Sequence, residues 1–173
     1  VGLFREQRSS AGSALLIVLA ALVLLRPWES LDGLWRDRPL AATTALVTRV
    51  VDGDTVEVRL DGAEEDVRYI GVDTPETVKP DTPVQCFGPQ ASTFNHRLAE
   101  GRRVRLVFGE ERRDVYGRLL AYVYLQGRFV NAELVRRGLA RTLTIPPNDR
   151  FARRFKRLEI AAARAGRGLW GAC

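Results

Sequence analysis

Histidine is nearly missing from this 173-residue chain: His96 is the only one, and cysteine is limited to Cys86 and Cys173. With no second histidine and no cysteine cluster, the composition argues against a zinc centre and against a Cys-x-x-Cys motif. His96 falls mid-helix by pattern, as a surface or satisfied core residue, so histidine acid–base chemistry is not expected. Acidic residues are scarce in one half. Residues 97–173 hold 18 Lys/Arg against 7 Asp/Glu, whereas residues 41–96 hold 4 against 10. The whole carries a net charge of +6 with a pI near 10.0, which favours a polyanionic partner, either nucleic acid or an anionic membrane surface. An acidic half suits a cation and a basic half suits a phosphate backbone. Apolar content of 46% with 28% charged residues excludes a disordered chain.

Charge is absent from residues 9–25, a run of 17 between Arg8 and Arg26. That is the short limit for a membrane-spanning helix, about 17–25 residues. Arg26-Pro27-Trp28-Glu29 is a poor cleavage site, so an uncleaved anchor is favoured over a signal peptide; a buried core helix is a third reading. Trp28 and Trp35 suit the membrane interface. Arg5 and Arg8 outweigh Glu6, which puts the N-terminus in the cytoplasm and the remainder outside. The expectation is an extracytoplasmic domain anchored through residues 9–25, or secreted after cleavage. Residues 26–43, with two prolines and no periodicity, read as a linker. The division is residues 1–40 as anchor or signal segment plus linker, and 44–173 as one globular domain.

Within that domain, residues 45–51 and 55–60 read as strands around the Asp52-Gly53-Asp54 turn signal. Asp61-Gly62 marks the next turn, leading into a strand over 65–72. Period-2 alternation there puts Arg68, Ile70 and Val72 on one face. Residues 77–86, with Pro80 and Pro83, form a loop. Gly88-Pro89 opens a helix with Ala91, Phe94 and Leu98 as its apolar stripe and Gly101 as its stop. Strands follow at 103–108, 119–124 and 128–130. Asn131 is placed as the cap of a short helix ending at Gly138, and a last helix covers about 149–164. Five or so short strands with interspersed helices predict a small closed barrel. Cys86 and Cys173 have no metal-type spacing. If the domain lies outside the cytoplasm a disulfide is the natural reading, worth about 4–5 kcal/mol on the chain-entropy model; two free thiols are the alternative.

The chemistry concentrates in residues 67–76, Val-Arg-Tyr-Ile-Gly-Val-Asp-Thr-Pro-Glu. Asp54 and Asp73 are hard oxygen donors that antiparallel neighbours can bring to one end of a barrel, as Ca²⁺ requires. Arg68 and Arg118 suit bidentate phosphate contacts. Glu76, three residues past Asp73, is placed to act on water. A carboxylate on water, two guanidiniums on phosphate and one hard cation make a phosphodiester-hydrolysing set.

From about residue 45 to Trp170 the chain resembles the staphylococcal nuclease (thermonuclease) family. The resemblance rests on Val51-Asp52-Gly53-Asp54-Thr55-Val56, Arg68 through Thr77, Phe87-Gly88-Pro89-Gln90-Ala91-Ser92, Asp114 through Tyr122, Val130 through Ala140, and Gly168-Leu169-Trp170, in family order and with family-like spacing. It implies an α+β, mainly β fold: an OB-fold barrel of five strands with three helices, here preceded by an N-terminal hydrophobic helix. It also implies Ca²⁺-dependent hydrolysis of DNA and RNA that leaves 3′-phosphates. By match, Asp54 and Asp73 are calcium carboxylates and Thr74 lends its carbonyl. Glu76 is the general base, Arg68 and Arg118 hold the scissile phosphate, and Tyr116 lies near a terminal phosphate.

Two departures stand out. Val115 occupies a position where the family often has lysine, and Thr142–Pro147 has no aromatic where a base-stacking tyrosine pair is expected. No protein partner is implied, and the chain is read as a monomer. The alternatives are a non-catalytic OB module that binds single-stranded nucleic acid and a membrane-tethered scaffold. The complete catalytic set argues against both.

Overall fold

The computed structural model describes residues 40–78 and 81–173. In order these form β1 (Ala42–Val50), β2 (Thr55–Leu60), β3 (Ala63–Tyr69), β4 (Val72–Asp73), α1 (Gly88–Ala99), β5 (Arg103–Arg113), β6 (Leu119–Leu125), β7 (Arg128–Phe129), α2 (Val130–Arg136), β8 (Arg141–Thr142), α3 (Ala152–Arg164) and α4 (Leu169–Ala172). The main sheet runs β3-β2-β1-β5-β6-β7, and β3 also pairs with β6. That last pairing is parallel, with Val67 opposite Leu119 and Tyr69 opposite Ala121, and it closes β1, β2, β3, β5 and β6 into a five-stranded mixed barrel. Helices α1, α2 and α3 pack around it, as an OB fold requires. The short β4 pairs with β8, setting Asp73 opposite Arg141.

Alternation fills the barrel. Val47, Val56, Val58, Val67, Val104, Leu106 and Val123 are each 0% exposed, mostly β-branched residues suited to a pleated surface. Outside the barrel wall, Tyr122, Phe129 and Phe151 form an edge-to-face cluster, a geometry that aromatic quadrupoles favour, and Phe155 of α3 packs against it at a tilt.

The structure departs from the sequence reading at four places. β1 starts at Ala42, which pairs with Val107, so the strand takes over the end of the expected linker. Alternation stops at Tyr69, because the chain turns through Ile70 and Gly71, whose φ is +81; Arg68 therefore does not share a continuous strand face with Val72. Asn131 is not a helix cap. It is fully buried, its Oδ1 accepts the Val123 N–H (2.9 Å), and its Nδ2 donates to the Ile70 carbonyl (2.9 Å). Among the described residues there is also a fourth, one-turn helix, α4. The hydrophobic stretch at residues 9–25 lies outside the described residues. Among those described, no helix is long and apolar enough to cross a membrane.

Candidate active site

The β1–β2 turn builds the first wall. Asp52 Oδ1 accepts the Asp54 N–H at 2.9 Å, folding Asp52-Gly53-Asp54 on itself. A Cβ on Gly53 would lie 2.7 Å from Thr74 Oγ1, so glycine is what lets the β4 end approach this closely. Asp54 is thereby turned inward and is only 4% exposed. Its Oδ2 accepts both the N–H (2.6 Å) and the hydroxyl (3.0 Å) of Thr74, and its Oδ1 lies 3.3 Å from Arg68 Nη1. Burial pushes the Asp54 carboxyl up to about 7, while the charge of Arg68 and the bonds from Thr74 pull it back.

Arg68 is the hub. It sits opposite Thr55 in the β2–β3 register, beside Asp54. Nη1 donates to the carbonyls of Tyr69 (3.0 Å) and Val72 (2.7 Å), and Nη2 donates to Asp73 Oδ1 (2.9 Å). The turn at Gly71 is what aims the Val72 carbonyl and Asp73 back at the guanidinium. Two carboxylates thus converge on one cation, one buried and the other, Asp73, 57% exposed.

The β5–β6 turn supplies the opposite wall. Asp114 Oδ1 accepts the N–H groups of Tyr116 and Arg118, each at 3.0 Å, and Asp114 Oδ2 accepts Arg118 Nε at 2.7 Å. One side chain both closes the turn and aims the arginine. Arg118 also lies 5.4 Å from the centroid of the Tyr116 ring, which is 81% exposed. Between the two arginines opens a cleft of ≈ 280 Å³, lined by Arg68, Tyr116, Arg118, Leu120, Leu143 and Ile145 among others. Its apolar wall of Leu143 and Ile145 occupies the segment where the expected aromatics are missing.

Glu76 is held by its own loop. Its Oε1 accepts the N–H groups of Thr77 and Val78, both at 2.8 Å. Its N–H donates to Gln85 Oε1 (3.0 Å), and the Gln85 N–H returns a bond to its carbonyl (2.9 Å). A Cβ on Gly88 would fall 3.0 Å from the carbonyls of both Pro75 and Glu76, so the start of α1 braces this loop. Cys86, next to Gln85, is joined to Cys173, which ties the same loop to α4.

The structure therefore links Asp54, Arg68, Asp73 and Thr74 by direct contact and joins Arg118 and Tyr116 to Arg68 across one cleft. Glu76 stands on the neighbouring loop. His96 is on the surface, 2.8 Å from Glu100. The Asp54 and Asp73 carboxylates, which converge on Arg68, are the hard oxygen donors that a calcium ion takes, so the residues fit such an ion. Among the described residues no three His, Cys, Asp or Glu side chains gather into a metal-holding group.

Three positioning residues escaped the sequence reading. Asp114 was visible only as part of a motif. Asn95 is fully buried in α1, accepts the Tyr69 hydroxyl (3.1 Å), and donates to the Asp52 carbonyl (3.0 Å); a polar residue on an otherwise apolar stripe was the available signal. Asn131 ties the turn after Arg68 to β6 through the Ile70 carbonyl.

The model of the family described as "Staphylococcal nuclease homologue" matches residues 66–172. The chain is 40% identical over 158 residues to the "Thermonuclease" of Staphylococcus intermedius, covering 90% of this chain and 94% of that protein. It is 39% identical over 162 residues to the "Thermonuclease" of Staphylococcus hyicus, covering 91% and 96%. It is also 42% identical over 124 residues to "Endonuclease YncB" of Bacillus subtilis (strain 168), covering 70% of this chain and 59% of that protein.

Proposed function

Because this chain belongs to the staphylococcal nuclease family, we propose that it is a Ca²⁺-dependent nuclease that hydrolyses DNA and RNA with low sequence specificity and leaves 3′-phosphate ends. The observation that carries this reading is the double duty of Arg68. Its guanidinium joins Asp54 and Asp73 on one side and lines the cleft shared with Arg118 and Tyr116 on the other.

The scissile phosphate lies between the Arg68 and Arg118 guanidiniums, which neutralise the charge that builds on its oxygens. Glu76 accepts a proton from the attacking water. The new bond forms between that water oxygen and phosphorus, the bond to the 5′ oxygen breaks, and that oxygen leaves with a proton from solvent. Asp54 and Asp73, with the Thr74 carbonyl, would hold the calcium ion, which when bound supplies Lewis acidity to the phosphate and its water. Tyr116, beside Arg118, takes the neighbouring phosphate. The cleft has hydrophobic walls and few base-reading donors, which supports low sequence preference.

The Cys86–Cys173 pairing supports an oxidising compartment and so a domain outside the cytoplasm, acting as a monomer. Residues 9–25 anchor it there, or the domain is secreted after cleavage. The test is the rate on labelled single-stranded DNA for Glu76→Gln and Arg68→Ala. Each should fold and lose about 100-fold or more in rate. Near-wild-type rates from both would refute the assignment, and retained binding without cleavage by the unaltered protein would turn the reading to a binding module.

A further inference from the structure

Away from the cleft, two arginines cover one aromatic wall. Arg105 on β5 stands opposite Tyr124 on β6 in the strand register, with its guanidinium 5.9 Å from that ring's centroid. Arg154 on α3 lies 5.3 Å from the centroid of Phe129. The two rings stack on each other at 4.6 Å with planes 12° apart. Arg105 and Arg154 are both exposed, and among the described residues neither forms an ion pair. The fields of Arg154, Arg105 and Arg150 all reach the Tyr124 hydroxyl. By contrast, Arg113, Arg136, Arg137 and Lys156 are each matched to a glutamate. Arg105 and Arg154, like charges with no ion pair of their own among the described residues, are well suited to a polyanion.

The wall is on the cleft's own strand. Alternation along β6 puts Leu120, Tyr122 and Tyr124 on one face, and Arg118 is the preceding position on that side. Leu120 and Arg118 line the cleft. The Tyr122 hydroxyl donates to the carbonyl of Asn148 (3.3 Å), another cleft residue. Tyr124 lies six residues beyond Arg118, about 20 Å at ~3.3 Å per residue. At roughly 3.4 Å per nucleotide of a stacked strand that is about six nucleotides, within the ~4–16 that an OB fold covers.

We propose that Arg105, Tyr124, Phe129 and Arg154 form a second nucleic-acid subsite, which binds the backbone of a single strand extending out of the cleft and favours long substrates over short ones. The direction of the strand rests on the nuclease reading; the subsite itself does not. Its contribution is electrostatic and sequence-independent, with the guanidiniums 5.9 and 5.3 Å from the ring centroids, within cation–π range.

The test is fluorescence anisotropy of the full chain with a labelled single strand of about 20 nucleotides, in chelator, over a salt series. Arg105→Ala/Arg154→Ala should weaken binding about tenfold or more near 0.1 M salt. It should also flatten the log–log salt slope by about 1.4, at ~0.7 per lost contact. Arg105→Lys/Arg154→Lys should restore most of the slope, which separates charge loss from misfolding. Calcium-supported hydrolysis of a thymidine dinucleotide, too short to reach the wall, should be unchanged in both variants. Unchanged affinity and slope for the long strand would overturn the proposal. So would a loss confined to phosphatidylserine vesicles, which would assign the wall to a membrane. Weakened oligonucleotide binding in a protein that cleaves nothing would uphold the subsite while removing the nuclease reading.

Discussion

Replacing Asp54 by asparagine should stabilise the calcium-free protein and abolish its response to calcium. Asp54 is 4% exposed, and burial lifts its carboxyl from 3.8 to about 7. The sign follows from the proton inventory. With its folded value above the unfolded one, Asp54 binds a proton more tightly in the native state. Its contribution is therefore fully present below the unfolded value and is lost as pH rises through about 7. At about 1.4 kcal/mol per pH unit, ionising it in the fold at pH 8 costs on the order of 4 kcal/mol. Asparagine escapes that cost and still accepts the Thr74 bonds through its carbonyl oxygen. Its amide hydrogens then face the Arg68 guanidinium, which returns about 1–2 kcal/mol. The net gain is about 2 kcal/mol at pH 8, or roughly 6 °C in Tm for a chain of this size. Near pH 5, where wild-type Asp54 is neutral, the advantage should vanish. Calcium should raise the wild-type Tm by linkage and leave the variant's nearly fixed. Thermal melts in chelator from pH 5 to 8.5, repeated with Ca²⁺, measure both. A variant that melts below wild type at pH 8 in chelator would show that Asp54 holds the β1–β2 turn together rather than storing charge for a cation.

Three further outcomes follow from the same contacts. Cys86→Ser/Cys173→Ser should cost about 4 kcal/mol, because the bridge closes a separation of 87 residues; melts with and without reductant should converge for the variant and differ for wild type. Ile145→Tyr, in the exposed apolar wall of the cleft, should tighten single-strand binding by about 1–3 kcal/mol through base stacking, seen by anisotropy as a gain of about fivefold or more. Asn131→Ala should destabilise by about 3 kcal/mol, since it strands the Val123 N–H and the Ile70 carbonyl in the core, and a denaturant midpoint would register it.

The sequence was most legible where the structure is local. Asp52-Gly53-Asp54 is a self-contained turn, and Arg68 reaches Asp73 within five residues, so a reader of the chain can place both. Cys86 and Cys173 were paired on compartment alone. What could not be read depends on partners distant in sequence. The β3–β6 pairing that closes the barrel joins Val67 to Leu119, and parallel register leaves no turn signal. Asn131 stands at a helix start, where a cap and a buried clamp look alike; only the fold reveals that Val123 and Ile70 need its amide. Arg68 seemed to lie on a strand face because nothing nearby fixes Gly71 at positive φ, and a Cβ there would lie 2.7 Å from Phe155 Cδ2, on a helix far along the chain. Asp114 was visible only as part of a motif, because the bond by which its second oxygen aims Arg118 depends on the folded geometry of the turn.

The most direct test is end-group analysis of single-stranded DNA digested by the full chain, with Ca²⁺ and again with excess chelator. The site geometry and family membership predict cleavage only with calcium, giving 3′-phosphate and 5′-hydroxyl ends. Cleavage that persists in chelator, or that leaves 5′-phosphates, would contradict the assignment of Asp54 and Asp73 to a cation and of Arg68, Glu76 and Arg118 to the scissile phosphate.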